Sequence, residues 1–183
     1  LSRKIISTAV AAVALLAAFG CGSGTSDTSV GTGTADGGQG ARVNVANGAV
    51  DAAGLRTVTY QGVAFQVPGD WPVYDLAADP TTCVRFDVHA VYLGQPSADM
   101  QCPAGLIGRA EAVLVEPADG APPAGDVSTE SVNGLNAEVA SGADVTHQLD
   151  ATFASAGVAA TITYQDTDAT ARQILSSFRG VAK

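Results

Sequence analysis

Asp87 and His89 stand two positions apart in the run CVRFDVHAVYL that begins at Cys83. On an extended chain such residues share a face, so the carboxylate and the imidazole could work as an acid and base pair or as two ligands to a metal ion. Either use asks for a third group, for which Glu111, on the next stretch that reads as strand, has the right chemistry. No local metal motif accompanies the pair, and an ion pair or a polar strand face stays open as the plainer reading. His147 stands apart, near a hairpin. Trp71, Tyr74 and Tyr92 could form a small aromatic platform. With Asp87 and His89 they make up the binding surface that the sequence proposes.

Other chemistries find no support. There is no Gly-x-Ser-x-Gly, and the serines concentrate near the N-terminus. The glycines of residues 20–40 precede no strand-helix unit, so neither a phosphate loop nor a dinucleotide fingerprint is present. No cofactor and no metal is expected. Nine Lys and Arg face eighteen Asp and Glu in 183 residues, an acidic balance that repels phosphate backbones and argues against nucleic acid as a partner.

The three cysteines need separate explanations. Arg3 and Lys4 precede an uncharged run of fifteen residues, Ile5 to Phe19. That is short of the ~20 residues that span a bilayer and suits the apolar core of a signal peptide. The run stops at Ala18-Phe19-Gly20-Cys21, which resembles a bacterial lipobox. The resemblance implies that Cys21 is acylated, palmitate being the expected kind of chain, and becomes the mature N-terminus. The protein would then be anchored by lipid to the extracytoplasmic face of the cell membrane. Ala18 and Phe19 depart from the commonest pattern, and the alternatives are an ordinary secretory signal with Cys21 a stray thiol, or an uncleaved signal-anchor helix. After Cys21 comes GSGTSDTSVGTGTADGGQG, too poor in apolar side chains to fold and suited to a tether. This leaves Cys83 and Cys102 as a pair in an oxidising compartment, and a bridge closing the 19 positions between them would stabilise the fold by ~3 kcal/mol. A thiol nucleophile or metal site is the competing reading, without a Cys-x-x-Cys spacing to support it.

The elements that must carry these groups follow from periodicity. Val58 and Tyr60, then Gln61-Gly62, then Val63, Phe65 and Val67 read as a hairpin, with Pro68-Gly69-Asp70 ending it and Trp71 tucked against the core. Val84 to Leu93 and Arg109 to Val115 read as strands, and residues 118–126 as a Pro- and Gly-rich surface loop. Asn133-Gly134 joins 127–132 to 135–140 in a second hairpin, and residues 155–157 join 145–154 to 158–164 in a third. Ala171, Ile174, Leu175 and Phe178 recur at i, i+3, i+4 and i+7, which predicts a helix over 167–179, opened by Asp166 or Thr167 and closed by Arg179 and Gly180. The expected fold is α+β, an antiparallel sheet of six or seven strands with a C-terminal helix packed on one face. The expected organisation is a signal peptide over 1–20, a tether over 21–54 and one folded domain over 55–183.

Two resemblances accompany this reading. Cys83, Arg85-Phe86-Asp87, His89 to Gly94 and Cys102-Pro103 lie in a segment, residues 56–117, that resembles a region of secreted actinobacterial proteins, where it often precedes a glycoside-hydrolase-like domain of uncharacterised function. The likeness stops at Pro117, short of the part to which an activity would attach. Gly62-Val63-x-Phe65-x-Val67-Pro68-x-x-Trp71 together with Ile174-Leu175-x-Ser177-Phe178-Arg179 resembles small exported lipoproteins with a PsbP or Mog1-like α/β/α sandwich. This implies a fold class and no activity. The expectation is therefore a cell-surface lipoprotein serving as a non-enzymatic interaction or envelope-accessory module, with the membrane and an envelope protein or glycan as partners. A small-molecule or glycan binder and a hydrolase with an unrecognised site are the alternatives.

Overall fold

The structure, a computed structural model, describes residues 48–142 and 146–181. All of them belong to the unit Gln39–Lys183. The signal, Cys21 and most of the tether lie outside the described residues. Among these residues no helix is long and apolar enough to cross a membrane.

Strands β1 (Leu55–Tyr60) and β2 (Val63–Pro68) pair through Gln61-Gly62, whose φ angles of 45° and 90° give the turn that matches strand twist. Val58, Tyr60, Val63, Phe65 and Val67 are buried on one face of this hairpin, as alternation requires. That face packs on a second sheet of seven strands. Three of these, β3 (Val73–Asp75), β4 (Ala90–Leu93) and β5 (Ala112–Pro117), are mutually parallel. The other four are β6 (Val127–Val132), β7 (Leu135–Ser141), β8 (Gln148–Phe153) and β9 (Val158–Thr163), all antiparallel to their neighbours. The order across the sheet is β3-β4-β5-β9-β8-β7-β6.

The expected antiparallel sheet is thus corrected to a mixed one, and six or seven strands become ten in two sheets among the described residues. The hairpins were legible because a turn joins their strands directly. Parallel neighbours need long crossovers, here residues 76–89 and 94–111. Both crossovers are irregular, and the first covers the face of the sheet opposite the hairpin. Leu76, with Val84, Phe86 and Val88, packs there on Ala90, Tyr92 and Leu114. The expected strand over Val84–Leu93 therefore shortens to Ala90–Leu93, buried on both faces, and the alternation before it belongs to a loop laid on the sheet. Cys83 and Cys102 lie one in each crossover and are bonded, with their Cα atoms 4.9 Å apart, inside the range a disulfide tolerates.

Helix α1 (Ala169–Ser176) is shorter than expected at both ends. Asp168 occupies the N-cap without a capping bond, because its carboxylate pairs with Arg172 four residues on. Arg179 and Gly180 do not close the helix. They form β10, which pairs with Ala64 and Val63 and makes β1-β2-β10 a three-stranded sheet. The helix stops where Ser177 turns its hydroxyl to the chain, donating to the Ile174 carbonyl at 2.6 Å and accepting from the Gln66 amide at 2.8 Å. The apolar stripe is as expected: Ala171, Ile174, Leu175 and Phe178 are all buried.

Asn133 fastens this end of the helix to the β6–β7 turn. Its Nδ2 donates to the carbonyls of Ser176 at 2.7 Å and Phe178 at 2.9 Å, while its backbone sits at φ 48°. Asn133→Ala loses two hydrogen bonds of ~1 kcal/mol each and adds the left-handed backbone cost of about 1–2 kcal/mol. Asn133→Gly loses the bonds alone. Urea titration should rank Ala as the more damaging, and equal stability of the two variants would refute the bridging role.

Candidate functional site

Val73, Val91, Val113, Ile162 and Leu149 are cross-strand neighbours along β3-β4-β5-β9-β8 and face the main core. One period outward along the same strands come Trp71, His89, Glu111, Tyr164 and His147. The strand period places Trp71, His89, Glu111 and Tyr164 in one row on the core side at this end of the sheet. The contacts agree. The rings of Trp71 and His89 stack at 5.3 Å and 15°, His89 Nδ1 lies 3.1 Å from the Glu111 carbonyl oxygen and 3.5 Å from its Oε2, and Tyr164 meets His147 at 5.4 Å. His147 joins the row through a left-handed backbone, φ 48°.

A carbonyl oxygen can only accept, so Nδ1 of His89 is the donor and a neutral ring leaves Nε2 as an outward lone pair. His147 is held the same way by the Gln165 carbonyl. Each ring can take a proton from something outside, and Glu111 steadies the first. Three interstrand steps separate the two histidines, on the order of 14 Å, too far to act on one atom. No hydroxyl or thiol of a described residue is bonded to the His89 ring, so the row holds a base without a nucleophile beside it.

The expected Asp87 and His89 pair does not form, because their segment is not a strand. Asp87 instead accepts two bonds from Arg85, from Nε at 3.1 Å and Nη2 at 2.7 Å, and this hydrogen bonding holds its carboxyl below the usual carboxylate range. The acid beside His89 is Glu111. Among the described residues no three His, Cys, Asp or Glu side chains converge as metal ligands.

The five residues proposed as one surface fall on two faces. Trp71 and His89 lie on the core side. Tyr92 lies on the other, 2% exposed, packed with Leu76, Ala90 and Leu114. Tyr74 stacks on it at 5.3 Å and remains 40% exposed, and Arg85 and Asp87 act on the Tyr92 hydroxyl, which burial pushes up in pKa. Trp71 is only 5% exposed with His89 against its ring, so it serves packing, and of the three aromatic residues Tyr74 offers the open ring.

A concave site lies elsewhere. A groove of about 390 Å³ runs between α1 and the outer face of the β1–β2 hairpin. Leu55, Gln66 and Pro68 line it from the hairpin, Thr170, Gln173, Ile174, Ser176 and Ser177 from the helix and its end, and Asn133 and Arg179 complete it. Gln66 and Pro68 face outward because Phe65 and Val67 face the core. Asn133, Ser176, Ser177 and Gln66 already spend hydrogen bonds within the fold. The side chains of Thr170, Gln173 and Arg179 make no hydrogen bond or ion pair to a described residue. Nothing in the sequence marked this groove, since Gln173 reads, with Arg172, as the wet side of a helix and Arg179 as its close. Comparison of the chain with protein-family models, with curated proteins and with solved structures returns no match.

Proposed function

We propose that the chain is a lipoprotein held through Cys21 at the outer face of the cell membrane, and that its folded domain is a non-enzymatic binding module whose ligand occupies the groove between α1 and the β1–β2 hairpin. The groove carries this reading: its volume is that of a small-ligand site, and three of its polar side chains are left free to bond a guest. The lipobox-like junction and the resemblance to small exported lipoproteins support the anchored half. Cys21→Ala should release the protein from membranes or leave its signal uncleaved. Processed protein that still requires detergent would overturn the anchor. For the groove, a thermal-shift screen over peptides, neutral sugars and sugar acids should yield a ligand that raises the melting temperature. Gln173→Trp, at an exposed helix position, should abolish that shift.

His89, oriented by Glu111, favours a second reading as a hydrolase. Turnover of a screened compound that disappears in His89→Gln and survives in Gln173→Trp would replace the binding module with that enzyme.

A further inference from the structure

We infer that the groove takes a small molecule bearing one carboxylate or phosphate on a hydrogen-bonding body, with Arg179 receiving the anion and Gln173 and Thr170 the body. This rests on the groove being the binding site. The acids of this chain outnumber its bases two to one, yet none of the described residues lining the groove is Asp or Glu. Three other described arginines are engaged: Arg85 with Asp87, Arg172 with Asp168, and Arg109 over the Phe86 ring with its nitrogens on carbonyl oxygens, while Arg56, whose Nε is buried without a partner among the described residues, does not line the groove. Among the described residues Arg179 has no such partner and does line the groove, and a guanidinium is built to clamp a carboxylate or phosphate with two parallel bonds.

The rest of the lining sets the size and polarity of the guest. Thr170 and Gln173 are one turn apart and share a face of the helix, and the rise from Thr170 to Ser177 is ~10 Å. Among the described residues no aromatic side chain lines the groove, so recognition falls to hydrogen bonds, with Leu55, Pro68 and Ile174 as apolar patches. The C-terminal end of a helix ordinarily repels an anion. Here Asn133 donates to the carbonyls of Ser176 and Phe178, and the amides of Ser177 and Phe178 close on Ile174 and Leu175, which discharges much of that end.

Glucose, glucuronate and glucose 6-phosphate share a body and differ in charge, so titrating each into the purified full-length protein tests the inference. A charge-assisted bond of about 1.5–3 kcal/mol makes at least one of the two anions bind roughly tenfold or more tightly than glucose, and which one separates a carboxylate from a phosphate guest. Arg179→Gln should remove that advantage, Arg179→Lys should keep part of it, and Gln173→Ala should weaken all three compounds. Equal affinity for glucose and both anions, or anion binding unchanged in Arg179→Gln, overturns the charge assignment while leaving the groove as the site. Anion binding that is indifferent to Gln173→Trp overturns the groove as well.

Discussion

Replacing Phe178 by Ala should cost about 3–5 kcal/mol, a large part of the ~5–15 kcal/mol that holds an ordinary domain together. Phe178 is fully buried, and its ring lies between Phe65 at 4.6 Å and Phe153 at 4.9 Å. It therefore joins the hairpin of one sheet to β8 of the other, and neither neighbour can close the gap without leaving its own strand. Arg172→Ala gives the comparison. Arg172 is exposed and holds Asp168 at 2.5 Å on the helix surface, a contact of the kind that contributes ~0.2–1 kcal/mol. Denaturant unfolding of the two variants should separate them by at least ~2 kcal/mol. Equal shifts would mean that the helix and the segment after it are not docked on the sheets.

Loss of the disulfide should be the second large effect. The bond between Cys83 and Cys102 closes 19 positions, which corresponds to ~3 kcal/mol of lost freedom in the unfolded chain. In the folded state it ties the second irregular crossover to the first, which covers Ala90, Tyr92 and Leu114. The double variant Cys83→Ala, Cys102→Ala should therefore unfold at lower urea. Amides in the two crossovers should also exchange hydrogen faster than those of the β6–β7 hairpin, because the crossovers have no ladder of their own. A stability loss within a few tenths of a kcal/mol, with exchange unchanged, would show that the bond constrains nothing that packing does not already hold.

What could be read from the sequence was local. Turns with positive φ at Gln61-Gly62 and Asn133-Gly134 announced two hairpins with their register, and the apolar stripe of α1 announced which residues are buried. The parallel half escaped because nothing local encodes a crossover. Val84, Phe86 and Val88 alternate as a strand does, yet they lie on the sheet instead of within it. The same error carried Asp87 into a pairing with His89 that the chain never makes. Glu111 was recognised by its chemistry, and its place beside His89 came from the pairing of β4 with β5. The groove stayed hidden because it takes residues from places as distant as Leu55, Asn133 and Arg179, each unremarkable where it stands.

The pairing of β10 with β2 also sets the tempo of folding. Hairpins such as β6–β7 close on the order of 1–10 μs, but Gln66 meets Ser177 across 111 positions, and the entropy of so large a closure must be overcome before any contact repays it. Until residues 177–180 arrive, Phe65 lacks the ring it stacks on and the hairpin lacks its second edge. The slow step should thus be the latching of this short segment, with the apolar face of β1–β2 open to other chains while it waits.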